Sequence, residues 1–256
     1  MSAEKFFGEV LGTMILILLG DGVVAGVLLS KSKALASGWI VITLAWGMAV
    51  FAGIAVAGQF TGAHLNPAVT LAVFLDSSAN AGKFGVDSLL GYWAGEMVGA
   101  MIGATLVFLH YYPHWAETED PGLKLAVFST GPAIRNPMWN LVSEIIGTFV
   151  LIFVGFSLAS TPQAGIAGSG GAPSALGWGL LVLVIGLSLG GTTGYAINPA
   201  RDLGPRIMHA ILPIPGKGGS DWEYSWIPVV GPLIGGALGW AVFNYGITNF
   251  VAKMVT

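Results

Sequence analysis

Cysteine is absent from all 256 residues, which excludes disulfides, thiolate metal sites and cysteine nucleophiles. Charge is almost as scarce. Asp, Glu, Lys and Arg make up 9% of the chain, against roughly 25% in typical soluble domains. A soluble protein of this size needs charge over most of its surface, and this one has too little. Nor is there a basic excess: a net charge of −3 and a pI near 5.7 leave no patch for nucleic acid or for polybasic docking on a membrane. The 4 histidines show no metal-ligand spacing, and no serine–histidine signature or phosphate loop occurs. No metal or cofactor is therefore expected, and an enzyme is the weakest reading. What fills the sequence is apolar: 54% hydrophobic residues, with a mean hydropathy of +0.78. Glycine is abundant, 39 residues, yet without collagen-like period or low-complexity tract. These features describe an integral membrane protein whose partner is the lipid bilayer.

Apolar stretches of about a span's length occur at 6–29, 39–57, 89–109, 139–159, 175–189 and 226–250, the fifth being short. The first is too long for a signal-peptide core and lacks a basic leader, so it is expected to stay in the mature protein. Two further stretches, 65–75 and 197–212, are half a span long and each opens on Asn-Pro-Ala. Internal repetition explains the pattern. Trp46-Gly47 recurs as Trp178-Gly179, Asn66-Pro67-Ala68 as Asn198-Pro199-Ala200, and Gly99 and Gly103 as Gly231 and Gly235, all at an offset of 132. Glu9-Val-Leu-Gly-Thr13 recurs as Glu144-Ile-Ile-Gly-Thr148 at an offset of 135, which a slightly longer loop accounts for. The chain reads as one membrane domain, 1–256, made of repeat halves at approximately 5–110 and 138–251. Each half holds three spans and a half-span. Three is odd, so the second half enters the membrane from the opposite side. The expected fold is all-α, six transmembrane helices plus two re-entrant half-helices in an inverted repeat, with the site near the midplane.

Asparagine is a preferred helix N-cap and proline is favoured at the first helical position; alone, one Asn-Pro-Ala marks only a helix start. Here it opens two half-length apolar helices at repeat-related positions. Irregular backbone at membrane depth is tolerated only inside protein or beside a watery cavity. The loops at 58–65 and 190–197 should therefore set two helix N-termini face to face. Each end carries about half a positive elementary charge, and together they oppose cations and hydronium. Asn66 and Asn198 can aim amide N–H groups at a passing oxygen. Carbonyls of Gly62, Ala63, His64 and Leu65, and of Tyr195, Ala196 and Ile197, supply acceptors. A neutral hydroxylic solute exchanges its water hydrogen bonds for these, while an ion cannot recover its hydration energy. The pattern implies a pore for small uncharged polar molecules.

Gly62-Ala-His-Leu-Asn-Pro-Ala-Val-Thr70 and Gly194-Tyr-Ala-Ile-Asn-Pro-Ala-Arg-Asp-Leu-Gly-Pro205 resemble the two signature loops of the aquaporin family, and the resemblance runs over about 5–250. Asp202 directly after Arg201, and Pro228-Val229 at the start of the last span, resemble the glycerol-facilitator branch, the aquaglyceroporins. The resemblance implies a passive channel for glycerol, water and similar solutes, a homotetramer, and a place in the cell membrane with both termini cytoplasmic. It also implies a selectivity filter toward the extracellular mouth, built from Trp46, Gly186, Tyr195 and Arg201. In such a filter two aromatic faces hold a carbon backbone, the guanidinium donates to hydroxyls, and Gly186 leaves room for the solute. Tyr195 stands where phenylalanine is usual, and its hydroxyl makes the filter either tighter or more polar.

Several residues keep two readings. Trp39 and Trp226 read as interface anchors, and Trp46 as a filter wall or another anchor. His64 is either packed and hydrogen-bonded or pore-lining. A coupled secondary transporter would use Glu9, Glu96 or Glu144 as a proton relay; Glu9 and Glu144, inside apolar spans, are alternatively acceptors for loop N–H groups. Their symmetry favours loop support, the role the resemblance assigns, with Asp202 as a third support. Asp21 and Glu96 have no acidic partner in the other half. Asp21 could lie near a span end. Gly91, Gly95, Gly99 and Gly103, like Gly231, Gly235 and Gly239, form a small-residue stripe for helix packing. Charge disagrees with the implied orientation: Lys5, Lys83 and Lys253 would lie inside, while Lys31, Lys33, Lys124, Arg135, Arg206 and Lys217 would lie outside.

Overall fold

The long helices are apolar on every side, because their outer faces meet lipid rather than water; Ile40, Leu44 and Phe51 of the second helix, for example, are all exposed. The computed structural model describes residues 1–79, 84–160 and 175–248, so Lys83, Lys253 and the last residues of the second repeat lie outside the described part. The order is α1 Ala3–Leu28, α2 Trp39–Ala57, α3 Pro67–Ala79, α4 Val86–His110, α5 Tyr112–Glu117, α6 Pro121–Phe128, α7 Pro137–Ser160, α8 Ala175–Leu189, α9 Pro199–Ile211 and α10 Ile227–Ala241, which continues as π-helix over Val242–Thr248. The fold is all-α. α1, α2, α4, α7, and α10 together with its π-helical continuation are each long and apolar enough to cross a membrane. α8 is the short sixth span, with 15 residues, and α3 and α9 are the half-helices. The segment between the halves holds two short helices, α5 and α6, that apolar periodicity did not reveal.

The halves pack alike. α1 lies along α4 and α7 along α10, while α2 meets α8 across the pseudo-twofold; α3 packs chiefly on α10 and α9 chiefly on α4. Glycine sets these approaches. A Cβ on Gly103 would fall 2.7 Å from the Met14 carbonyl oxygen, and one on Gly239 would fall 2.8 Å from that of Phe149. At the crossing of α2 and α8 the clash is reciprocal, Gly47 against the Gly179 carbonyl at 2.6 Å and Gly179 against that of Gly47 at 2.7 Å. These stripes let helix backbones touch, as small residues do in membranes.

Most basic residues assigned to the outer loops are engaged locally. Lys31 pairs with Glu117, Arg135 with Asp221 and Arg206 with Asp202. Lys217 donates to the carbonyls of His209, Ala210 and Leu212 at the end of α9, and Lys124 donates to that of Pro215.

Candidate conduction pathway

Each re-entrant loop alternates in backbone handedness. Ala63 and Leu65 have φ of 51° and 54°, and their repeat partners Tyr195 and Ile197 have 40° and 43°. L-residues rarely adopt this left-handed region, and they stay there only where the surroundings hold them. A buried carboxylate does so in each half. Glu9 accepts from the Thr61 hydroxyl at 2.5 Å and the His64 N–H at 3.1 Å, and through its other oxygen from the Leu65 N–H at 2.8 Å. Glu144 accepts from Thr193 at 2.6 Å, Ala196 N–H at 3.0 Å and Ile197 N–H at 2.9 Å. Thr61 and Thr193 are repeat-related, a signal present in the sequence but not used above.

The loops deliver their asparagines to one another. Asn66 accepts from the Ala68 N–H at 2.9 Å, and Asn198 accepts from Ala200 and Arg201 at 3.0 and 3.3 Å. These are N-caps with Pro67 and Pro199 at the first helical position. The amide groups cross over: Asn66 donates to the Ile197 carbonyl at 2.9 Å, and Asn198 to that of Leu65 at 2.8 Å. Each amide keeps a second N–H.

Three cavities follow one another along the interface of the halves, sharing walls. A wide one of about 390 Å³ is lined by Gly62, Ala63, His64, Leu65, Asn66 and Asn198 among others. A neck of about 40 Å³ lies against both asparagines, Tyr195, Ala196, Ile197, Trp46 and Arg201. A mouth of about 230 Å³ shares Trp46, Tyr195 and Arg201 with the neck and adds Trp39 and Gly194. Leu16, Val50, Leu151 and Val182 border both neck and wide cavity; they are two repeat-related pairs, so the apolar wall is itself symmetric.

At the neck the Arg201 guanidinium carbon stands 4.1 Å from the centre of the Trp46 ring, a cation–π contact. Gly186 lines none of the three cavities. A Cβ there would lie 2.7 Å from Tyr195 Cζ and 2.8 Å from its hydroxyl oxygen, so the room that Gly186 leaves is filled by the Tyr195 ring. That hydroxyl is buried, so it adds bulk rather than polarity to the passage. Trp39 does more than anchor an interface: its indole N–H donates to the Gly186 carbonyl at 3.0 Å, and its ring meets Tyr195 edge-on at 5.8 Å. Asp21 is not at a span end. It is fully buried within α1, 3.5 Å from Arg201.

The outer supports differ between halves. Asp202 accepts from the Thr130 N–H and hydroxyl, both at 2.7 Å, and from Arg206 at 2.8 and 3.0 Å. Arg206 in turn donates to the carbonyls of Thr130 and Ser220, which ties α9 to two loops. In the first half Thr70 donates to Glu96 at 2.6 Å and meets His64 Nδ1 at 2.9 Å. The hydroxyl has one proton and gives it to Glu96, so His64 is the donor in the second contact. His64 is both packed, 4.5 Å from the Tyr92 ring, and on the cavity wall. Among the described residues no group of His, Asp or Glu is placed to hold a metal.

The chain is similar to known proteins over nearly its whole length. A family model described as "Major intrinsic protein" matches residues 1–243. "Glycerol uptake facilitator protein 3" of Lactiplantibacillus plantarum is 56% identical over 242 residues, covering 94% of this chain and 96% of that protein. The "Glycerol uptake facilitator protein" of Streptococcus pneumoniae is 55% identical over 242 residues, covering 94% and 98%. Among solved structures, the aquaglyceroporin from Plasmodium falciparum superposes with a TM-score of 0.80 at 29% identity, covering 98% of each chain.

Proposed function

The chain belongs to the major intrinsic protein family, and we propose that it is a passive transmembrane channel for glycerol, water and other small uncharged polar solutes, closed to protons and ions. The observation that carries this reading is the neck. Two opposed helix N-termini, each capped by an asparagine with a spare N–H, border a cavity of about 40 Å³ whose far end holds Trp46, Tyr195 and Arg201. A polyol can lay its carbon chain on the aromatic faces and direct its hydroxyls to the guanidinium and the asparagines. A cation meets two positive helix ends and Arg201. The relatives named as glycerol uptake facilitators support glycerol as the solute.

A proton-coupled transporter would need a carboxylate that is free to exchange. Glu9 and Glu144 have both oxygens occupied by loop donors, and Glu96 and Asp21 line none of the three cavities, so the structure favours the channel over that alternative. The family consists of channels rather than enzymes. The proposal extends to a homotetramer in the cell membrane with cytoplasmic termini, supported by the aquaporin resemblance.

Stopped-flow light scattering on proteoliposomes under a glycerol gradient tests the reading. Downhill, non-saturating flux that ignores an imposed pH gradient is expected. A water-only response would remove the glycerol assignment, and flux driven by the pH gradient would replace the channel with a transporter.

A further inference from the structure

The positive charges around the neck do not balance by themselves. Two helix ends of about half a charge each, together with Arg201, sum to roughly +2 beside an uncharged passage. Such a field repels cations, but it attracts small anions. Glu9 and Glu144 offset the two helix ends through their loops, and the acids left to offset Arg201 are Asp202, beside it in the chain, and Asp21, across from it. Asp202 is saturated by Arg206 and Thr130. Asp21 is not: among the described residues neither of its oxygens has a hydrogen-bond partner, nor does Arg201 Nη1, and the two groups face each other at 3.5 Å. A buried carboxylate with only one partner is costly, and its position suits a role directed at that partner.

The backbone around Asp21 serves the same wall. A Cβ on Gly20 would overlap the Trp46 ring, so this glycine lets the indole pack against α1. The same ring carries Arg201 at 4.1 Å. Gly20 thus seats one filter residue and Asp21 faces the next, although Asp21 itself lines neither the neck nor the mouth.

We propose that Asp21 is a specificity-determining positioning residue of the neck: its carboxylate offsets the Arg201 charge and holds the guanidinium back against Trp46, which denies small anions a positive path and keeps the passage clear for neutral solutes. This rests on the channel reading, which glycerol flux through the parent protein tests separately.

The test uses Asp21→Asn and Asp21→Glu in proteoliposomes, with chloride entry read by a halide-quenched dye under a valinomycin–potassium clamp and glycerol flux by light scattering. One uncompensated charge at effective dielectric about 20 is worth more than a factor of ten at these distances, so Asp21→Asn should raise chloride permeability at least about tenfold. Its glycerol flux should fall, because Arg201 is released into the passage. Asp21→Glu keeps the charge and should keep chloride near the parental level. In an Arg201→Val background, Asp21→Asn should change chloride permeability little, since the two residues act as a coupled pair. Chloride and glycerol values for Asp21→Asn equal to the parent's would overturn the proposal, as would an equal chloride effect with and without Arg201. If Asp21→Asn fails to insert, the double variant Asp21→Asn/Arg201→Val decides. Recovered insertion identifies the unbalanced arginine as the lesion, and continued failure overturns the proposal. Absence of glycerol flux in the parent would instead sink the channel reading.

Discussion

The pseudo-twofold relates the two ends of the passage, and it is instructive to see what it carries across and what it changes. Trp46 maps onto Trp178, and Gly20, on which Trp46 lies, maps onto Gly155, on which Trp178 lies. The other residues at the neck or behind it are replaced: Tyr195 corresponds to Ala63 and Arg201 to Val69 on the wall, Gly186 to Ile54 and Asp21 to Phe156 behind it. All of these replacements line the wide cavity. The passage is therefore narrow, aromatic and charged at the neck, at about 40 Å³, and wide on the other side of the asparagines, at about 390 Å³. The two halves share a symmetric frame, and the side chains around the neck break that symmetry on one side only.

What the twofold preserves should be the most costly to disturb. Glu9 and Glu144 each hold a left-handed loop through equivalent donors, and glutamine at either place must turn an amide N–H₂ toward a backbone N–H. Losing one charge-assisted bond and leaving its donor buried costs about 3 kcal/mol, so Glu9→Gln and Glu144→Gln should lower folded yield and thermal midpoint in detergent by similar amounts. Solute preference of the surviving protein should hold. A stable Glu144→Gln protein that loses a pH-gradient dependence present in the parent would favour the transporter reading instead.

Differences between the ends can be erased one at a time. Gly186→Ala places a Cβ 2.7 Å from the Tyr195 ring and 2.9 Å from Thr43 Cγ2, which drives the ring toward the passage. Overpacking of this kind costs about 1–3 kcal/mol, and a roughly tenfold fall in glycerol flux is expected, with water reduced less. Stopped-flow measurements with both solutes report it; unchanged glycerol flux would mean the ring has another place to go. Arg201→Val copies Val69 into the neck and should have the smallest effect on neutral flux. Glycerol should still pass on the asparagine donors and loop carbonyls, while a proton leak, small beside that flux, becomes detectable with an internal pH dye under a valinomycin–potassium clamp. No leak would leave exclusion to the helix ends and desolvation alone.

Much of this was legible in the sequence because membranes restrict what a chain can do. Backbone polar groups must be satisfied within the segment, so apolar runs report spans, and a half-length run opening on Asn-Pro reports a re-entrant helix. The offsets of 132 and 135 reveal the inversion because an odd number of spans reverses direction. Glu9 and Glu144 could be paired with their loops because both members recur. Asp21, Glu96 and Trp39 escaped such reasoning since none has a like residue in the other half. Asp21 and Trp39 matter only through contacts with residues far along the chain: Asp21 meets Arg201 and Trp39 meets the Gly186 carbonyl. Which group uses the room at Gly186 was out of reach for the same reason. An absent side chain makes space, and which neighbour takes that space is a question of packing.

By itself, then, the sequence determined the membrane class, the inverted repeat, the paired helix caps and the carboxylates that hold them, because each is encoded in local composition or in recurrence at a fixed interval. The tertiary structure decided how the neck is filled: that Tyr195 covers Gly186, that Trp46 lies on Gly20 and carries Arg201, and that a buried aspartate stands behind that arginine. Those are contacts between helices whose relative rotation and depth depend on the whole packed bundle, where a few tenths of an ångström settle which side chain occupies a void.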